Sequence, residues 1–210
     1  MIRTLWLIAA LVVLPAHASE DGAARIAARL EPVARFSAEF VQTVRGSGQE
    51  VRESAEGYIR IERPRRFKWV IEDPYPQVIV TKGERLYIYD PDLDQVQVRT
   101  LEDALDGTPA LVLAGSAELI AAQFDVIERD EEELTIFALT PRDPQALYTE
   151  LLMKFAADEL VGIDIVDSLG QVTEVRFYNS EKDPQFPQNE FDFTIPPNAD
   201  VIGNADDGAT

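Results

Sequence analysis

Between Tyr58 and Val98 the sequence alternates between apolar and polar residues, in short runs that turn residues interrupt. Runs with a period of two residues, bounded by Gly, Pro and Asp, are typical of antiparallel strands joined by hairpins. The breaks fall at Arg63-Pro64, Asp73-Pro74, Lys82-Gly83 and Asp90-Pro91. This spacing predicts five strands in succession, and a meander of that length curls into a barrel or a half-barrel.

Arg63 is the unusual residue of this stretch. Side chains two positions apart lie on the same face of a strand, so Arg63 shares a face with Ile59 and Ile61. If the isoleucines point inward, the guanidinium does too, and a buried charge is costly unless acceptors surround it. Alternatively the strand ends at Arg63 and the side chain turns out to water. Spacing alone favours the outward orientation.

Composition limits the classes of function. The 210 residues suit one domain, and 46% hydrophobic content is enough for a core. A formal net charge of −19 argues against nucleic acid, whose binding depends on phosphate neutralisation, and against adhesion to anionic lipid surfaces. The chain has no cysteine, so it has neither disulfides nor thiolate metal sites.

Residues 1–18 have the organisation of a secretory signal peptide. Arg3 is followed by the apolar stretch Leu5–Leu14, which is too short to span a bilayer, and Ala16-His17-Ala18 is an A-x-A cleavage site. We expect the mature protein to begin at Ser19, with a single domain over 19–203 and a flexible tail at 204–210. The mature chain would have neither histidine nor cysteine, which excludes Ser-His-Asp and Cys-His catalysis and imidazole or thiolate zinc sites. We expect no cofactor and no enzyme activity.

The rest of the chain combines short helices with further strands. Apolar spacing predicts a helix over Ser19–Leu30, capped by Asp21. Residues 101–122 contain two helix-start signals, Thr108-Pro109 and Ser116, and predict two or three short helices that cover the mouth of the curved sheet, since short helices are unstable alone. Further strands are predicted at 36–40, from 51 onward, and at 124–128, 134–139, 151–155, 160–167, 171–178 and 191–195.

Two features allow more than one interpretation. Five cations fall within nine residues and form either a docking site for an acidic partner or a solvated hairpin. These are Arg60, Arg63, Arg65, Arg66 and Lys68. The inward-facing apolar residues either fill a packed core or leave a ligand cavity, because one curved sheet under short helices is hard to fill completely.

Several motifs occur in an order and spacing that resemble one family. They are R-L-x-x-V-x-x-F-x-A-x-F at 29–40, R-P-x-x-F-x-W at 63–69, L-Y-I-Y-D-P-D-L-D-Q-V at 86–96, Thr108-Pro109 followed by leucines, and F-x-F-T-x-P-P at 191–197. Together they resemble the periplasmic outer-membrane lipoprotein carriers, the LolA family, over essentially the whole mature chain.

The resemblance implies a mainly β (α+β) fold: an unclosed, strongly curved antiparallel β-barrel covered by short lid helices. It implies a hydrophobic interior that holds the acyl chains of lipidated proteins as cargo. The implied partners are an inner-membrane lipoprotein-releasing ABC transporter, which loads the carrier, and an outer-membrane lipoprotein receptor, which accepts the cargo. The implied location is the periplasm, and we expect a monomer. In this family the arginine before the proline, here Arg63, hydrogen-bonds carbonyls of the lid, which reverses the expectation from spacing.

On this basis we assign roles to individual residues. The latch is Arg63. The expected lid residues are Leu101, Leu105, Leu111 and Leu113. The expected lining of the acyl cavity is Leu30, Phe36, Phe40, Ile59, Ile61, Phe67, Trp69 and Ile71. Two other functions stay open: an envelope-stress domain of the same barrel type that senses lipid or lipoprotein, and a periplasmic hydrolase with a carboxylate pair.

Overall fold

The structure is a computed structural model in which residues 18–31, 35–101 and 108–203 are described. Twelve strands within these ranges form one sheet. They are β1 Arg35–Arg45, β2 Val51–Glu62, β3 Arg66–Asp73, β4 Gln77–Lys82, β5 Arg85–Asp90, β6 Gln95–Thr100, β7 Phe124–Glu131, β8 Leu134–Pro141, β9 Tyr148–Ala156, β10 Glu159–Asp167, β11 Val172–Lys182 and β12 Asp200–Gly203. Residues 1–17 of the predicted signal peptide, the predicted tail at 204–210 and the lid residue Leu105 lie outside the described residues.

The sheet is curved, antiparallel and unclosed, as expected. Its strand order is β12-β6-β5-β4-β3-β2-β1-β11-β10-β9-β8-β7. Strands β7 and β12 are therefore the two edges, and the sheet does not close on itself. Only β12 departs from the antiparallel pattern, because it pairs with β6 in parallel. The five strands predicted between Tyr58 and Val98 are confirmed as the end of β2 and all of β3–β6.

Short helices accompany the sheet. Helix α1 spans Ala18–Leu30 and helix α2 spans Ala117–Gln123, and the 3-10 helices are Pro91–Leu93 and Pro109–Ala114. Ser116 caps α2 as predicted, since its hydroxyl accepts a hydrogen bond from the Leu119 amide at 3.3 Å. The helix start predicted at Thr108-Pro109 is also confirmed, because Thr108 is the N-cap residue and Pro109 begins the 3-10 helix, although the Thr108 side chain makes no cap hydrogen bond. The predicted cap Asp21 is wrong, because Asp21 lies inside α1.

The concave face of the sheet carries the main core. Phe40 of β1 stacks on Trp69 of β3 with ring centroids 4.1 Å apart, and Phe177 of β11 meets Trp69 edge-on at 6.5 Å. Gly57, directly opposite Phe40 on β2, makes room for this packing. A Cβ at Gly57 would lie 1.9 Å from the carbonyl oxygen of Val70 and 2.9 Å from Phe40 Cζ. Burying each such aromatic side chain contributes about 1.5–3 kcal/mol, so this cluster is a substantial part of the core.

A second apolar layer lies on the convex face, beneath the segment 184–199. The Phe193 ring lies 5.3 Å from the ring of Tyr87, and Arg66 covers Phe191 at 4.7 Å from its ring centroid. Tyr87 lies directly opposite Val98 on the outer side of β6, and Val98 is buried without joining the main core. The segment 184–199 is therefore a strap across the outside of β3–β6.

The predicted strand at 191–195 is wrong. Phe191 and Phe193 do alternate, but they pack onto the outer face of the sheet without pairing as a strand. The strap contains four prolines, at 184, 187, 196 and 197, which supply no N–H for a ladder of hydrogen bonds. The last strand begins instead at Asp200, where the chain reaches the edge of β6.

Among the helices of the described ranges, none combines the length and apolarity that crossing a bilayer requires.

Candidate functional site

Arg63 joins the sheet to the helical cover, which is the 3-10 helix Pro109–Ala114 and the residues that flank it. Strand β2 ends at Glu62, and the Arg63 side chain then turns inward. Its Nη1 donates to the carbonyl oxygen of Gly115 at 3.1 Å, and its Nη2 donates to the carbonyl oxygen of Leu113. Both carbonyls lie where the 3-10 helix Pro109–Ala114 ends, at a position where helical carbonyls lack an internal partner. The outward orientation favoured by spacing is therefore not the one the structure has.

The guanidinium of Arg63 is incompletely satisfied. Within the described part of the chain, its Nε is buried and has no hydrogen-bond partner. Burial lowers the pKa of Arg63 to about 10, so the side chain stays protonated at neutral pH. Among the described residues the cation is thus held by two carbonyl dipoles and by no carboxylate, which is a comparatively weak way to hold a charge in a protein interior.

The residues expected to line the cavity come together beneath this cover. All except Ile71 are buried in one cluster, and Ile71 is partly buried at its margin. Leu111 and Leu113 belong to the same cluster, and Leu101 packs against it while remaining partly exposed. The concave face and the cover are therefore in direct apolar contact. Of the two interpretations of the inward-facing apolar residues, a packed core describes this closed arrangement and an open ligand cavity does not.

Open space occurs at the margin of the cover. A cavity of about 390 Å³ lies between the cover and the turns that follow β2 and β4. Leu101 and Leu111 line it, whereas the eight residues expected to line the acyl cavity do not. Its lining consists of Pro64, Arg65, Thr81, Glu84, Arg85, Thr100, Leu101, Leu111, Ala114, Gly115, Ser116 and Leu119.

Most of the five cations between Arg60 and Lys68 form ion pairs with glutamates of the protein. Arg65 pairs with Glu84, Arg66 pairs with Glu62, and Lys68 pairs with Glu190 of the strap at 3.2 Å. Because these cations already contact carboxylates, the structure favours a hairpin with internal ion pairs over a surface prepared for an acidic partner. No group of three or more Asp, Glu, His or Cys side chains in the described ranges could hold a metal ion.

Sequence reasoning missed the polar residues on the inner side of β6. Gln97 lies opposite Ile88, and Arg99 lies opposite Leu86. Ile88 and Leu86 belong to the main core. Alternation identified the two faces of this strand but not which of them turns inward. The proline content of the strap was the available signal that its segment covers the outer face.

Comparison with known proteins identifies the family. The family model of the outer membrane lipoprotein carrier protein LolA matches residues 31–194. An outer-membrane lipoprotein carrier protein from Chromohalobacter salexigens is 40% identical over 189 residues, covering 90% of both chains, and one from Legionella pneumophila is 34% identical over 184 residues, covering 88% of this chain and 91% of that one. A LolA superfamily structure from Nitrosomonas europaea shares the fold, with a TM-score of 0.51 and 14% identity over 82% of this chain and 98% of that one. The chain belongs to the LolA family of outer-membrane lipoprotein carrier proteins.

Proposed function

We propose that the protein carries lipoproteins through the periplasm by enclosing their acyl chains between the concave face of the sheet and the helical cover. The observation that carries this proposal is the clasp of Arg63 on Leu113 and Gly115, because its two hydrogen bonds fasten the cover over an apolar interior. In the proposal the cover is a lid, and it includes the leucines at 101, 105, 111 and 113. The acyl chains take the place of the lid against Leu30, Phe36, Phe40, Ile59, Ile61, Phe67, Trp69 and Ile71.

Magnitudes support a lid that cargo can lift. A chain of about sixteen carbons left in water costs on the order of 12 kcal/mol. A hydrogen bond to a charged donor contributes about 1.5–3 kcal/mol, and a buried donor without a partner costs about 1–3 kcal/mol. The two bonds of Arg63, reduced by its unpaired Nε, therefore add about 2–3 kcal/mol to the apolar contacts of the lid. Acyl chains replace those apolar contacts with their own, and covering one acyl chain outweighs the latch several-fold, so the closed form is a resting state that cargo opens.

The partners follow from the proposed role. A lipoprotein-releasing ABC transporter of the inner membrane loads the protein, and a receptor lipoprotein of the outer membrane accepts the cargo. The protein acts as a monomer after cleavage of residues 1–18 and transforms no substrate. Since it has no Gly-rich phosphate loop, the direction of transfer comes from the transporter and from differing affinities for the cargo.

The proposal is tested by adding the protein, without residues 1–18, to spheroplasts of a Gram-negative bacterium. We expect lipidated proteins to appear in the supernatant as a soluble complex with it. Leu113→Lys places a charge within the lid at a position that is 2% exposed, whereas Leu93→Lys makes the same change at a position that is 69% exposed. We expect Leu113→Lys to abolish release and Leu93→Lys to preserve it, with circular dichroism checking the fold of both. A wild-type supernatant without lipidated protein would contradict the proposal.

A further inference from the structure

Strand β6 has its apolar side facing outward. Val96 and Val98 are 0% and 4% exposed, yet neither belongs to the main core, because the strap covers the convex side of the strand. Directly opposed residues of an antiparallel pair share a face. Gln97 and Arg99 therefore share the concave face with Ile88 and Leu86. This concave face is apolar along β3 and becomes polar at β6, next to the unclosed edge of the sheet.

The guanidinium of Arg99 has few acceptors. Its Nη2 donates to the side-chain oxygen of Gln97 at 3.1 Å, and no carboxylate of the described residues lies within 4.0 Å of it. Several arginines on other strands are ion-paired, as Arg45 is with Glu174 at 3.1 Å and Arg35 is with Glu62 at 3.2 Å. In a chain with 38 acidic residues, this inward-facing arginine contacts a neutral amide and no carboxylate among the described residues, so most of its five donors have no partner there.

We propose that Gln97 and Arg99 form a polar subsite for the head of the lipid anchor, where the acyl chains join glycerol and cysteine through ester and amide carbonyls. The inference rests on the proposed carrier function and adds to it the place where the polar end of the cargo lies. Hydrogen-bond donors on β6 face these carbonyl oxygens, while the attached acyl chains extend past Leu86 and Ile88 toward Trp69.

The chemistry fits a neutral head group with several acceptors. Guanidinium and amide N–H groups are donors that ester and amide oxygens can occupy without a charge on the ligand. Both side chains are half-buried, so bonds made there are less exposed to competition from water than bonds on the outer surface. The position at the unclosed edge leaves a route by which the protein part of the cargo extends into solvent.

The test compares two neutral ligands by isothermal titration calorimetry on the protein without residues 1–18. One is a triacylated cysteinyl lipopeptide with an uncharged peptide, and the other is a long-chain alcohol with no ester or amide. We expect Arg99→Met to weaken lipopeptide binding at least about tenfold and to change alcohol binding less than twofold. Gln97→Leu removes the neighbouring acceptor and donors, and we expect it to act in the same direction. Arg52→Met removes the same charge from an exposed ion pair with Glu50 and is the control.

The outcomes separate the two proposals. An unchanged lipopeptide affinity in both Arg99→Met and Gln97→Leu would overturn the subsite. A variant that loses affinity for the lipopeptide and for the alcohol equally would overturn it as well. A wild-type protein that binds neither ligand would instead overturn the carrier function. If Arg99→Met does not fold, the comparison between Gln97→Leu and wild type decides the subsite alone.

Discussion

Replacing Arg63 by leucine removes the latch and should make the protein bind cargo more tightly. The two bonds to Leu113 and Gly115 form in the closed, empty state, so their loss destabilises that state alone. With the cost of the unpaired Nε subtracted, general hydrogen-bond energies put the latch at about 2 kcal/mol. Cargo that no longer has to break these bonds gains the same amount, which is about a 30-fold lower dissociation constant.

This increase in affinity should impair delivery. We expect Arg63→Leu to load normally and to transfer its lipoprotein to the outer-membrane receptor far more slowly than wild type does. The assay measures lipopeptide affinity and the half-time of transfer to purified receptor. Arg60→Leu is a matched control, because Arg60 is three residues away and bonds to the backbone carbonyl of Ile59 at 3.0 Å without contacting the lid. Unchanged or weaker binding by Arg63→Leu, together with normal transfer, would refute the latch.

Three further results are expected. Gly57→Ala should destabilise the fold by about 2–4 kcal/mol in urea denaturation, because its Cβ would overlap the Val70 carbonyl, whereas Gly83→Ala, at a φ of 64° with open space around it, should cost only about 1 kcal/mol. Phe191→Ala should lower the free energy of unfolding by about 3 kcal/mol and leave lipopeptide affinity unchanged, because the strap packs outside the sheet. Arg63 has a pKa of about 10, so the free-energy penalty for burying its charged form is fully present below that pH and declines only above it. Cargo affinity should therefore stay constant between about pH 6 and about pH 9.

The sheet could be predicted from sequence because its strands alternate and its turns carry strong local signals. The breaks at Lys82-Gly83 and Asp90-Pro91 each separate two observed strands. The same alternation could not tell which side of β6 turns inward. The orientation of β6 depends on the strap, which contains the prolines at 184, 187, 196 and 197. Phe191 and Phe193 of the strap pack against the outer face of the sheet through contacts distant in sequence. Local period therefore predicts strands well and orientation poorly when both faces of a sheet are covered.

Arg63 shows a similar limit. Its position two residues after Ile61 predicts only that it shares a face with the isoleucines, and the cost of burying a charge argues for an outward turn. The acceptors that make the inward position tolerable are backbone carbonyls at Leu113 and Gly115, about fifty residues later in the chain. Backbone acceptors carry no sequence signature, so only the family resemblance indicated the contact in advance.

Quenching of Trp69 by a spin-labelled acyl chain tests most directly whether cargo enters the space beneath the lid. Trp69 is the only tryptophan outside residues 1–18, and it is 4% exposed at the centre of the aromatic cluster with Phe40. A lipoprotein whose acyl chain carries a nitroxide quenches the indole only on close approach. We predict strong quenching that saturates at one cargo molecule per protein. Full Trp69 emission in a complex that gel filtration shows to be intact would place the acyl chains elsewhere and contradict the proposed carrier mechanism.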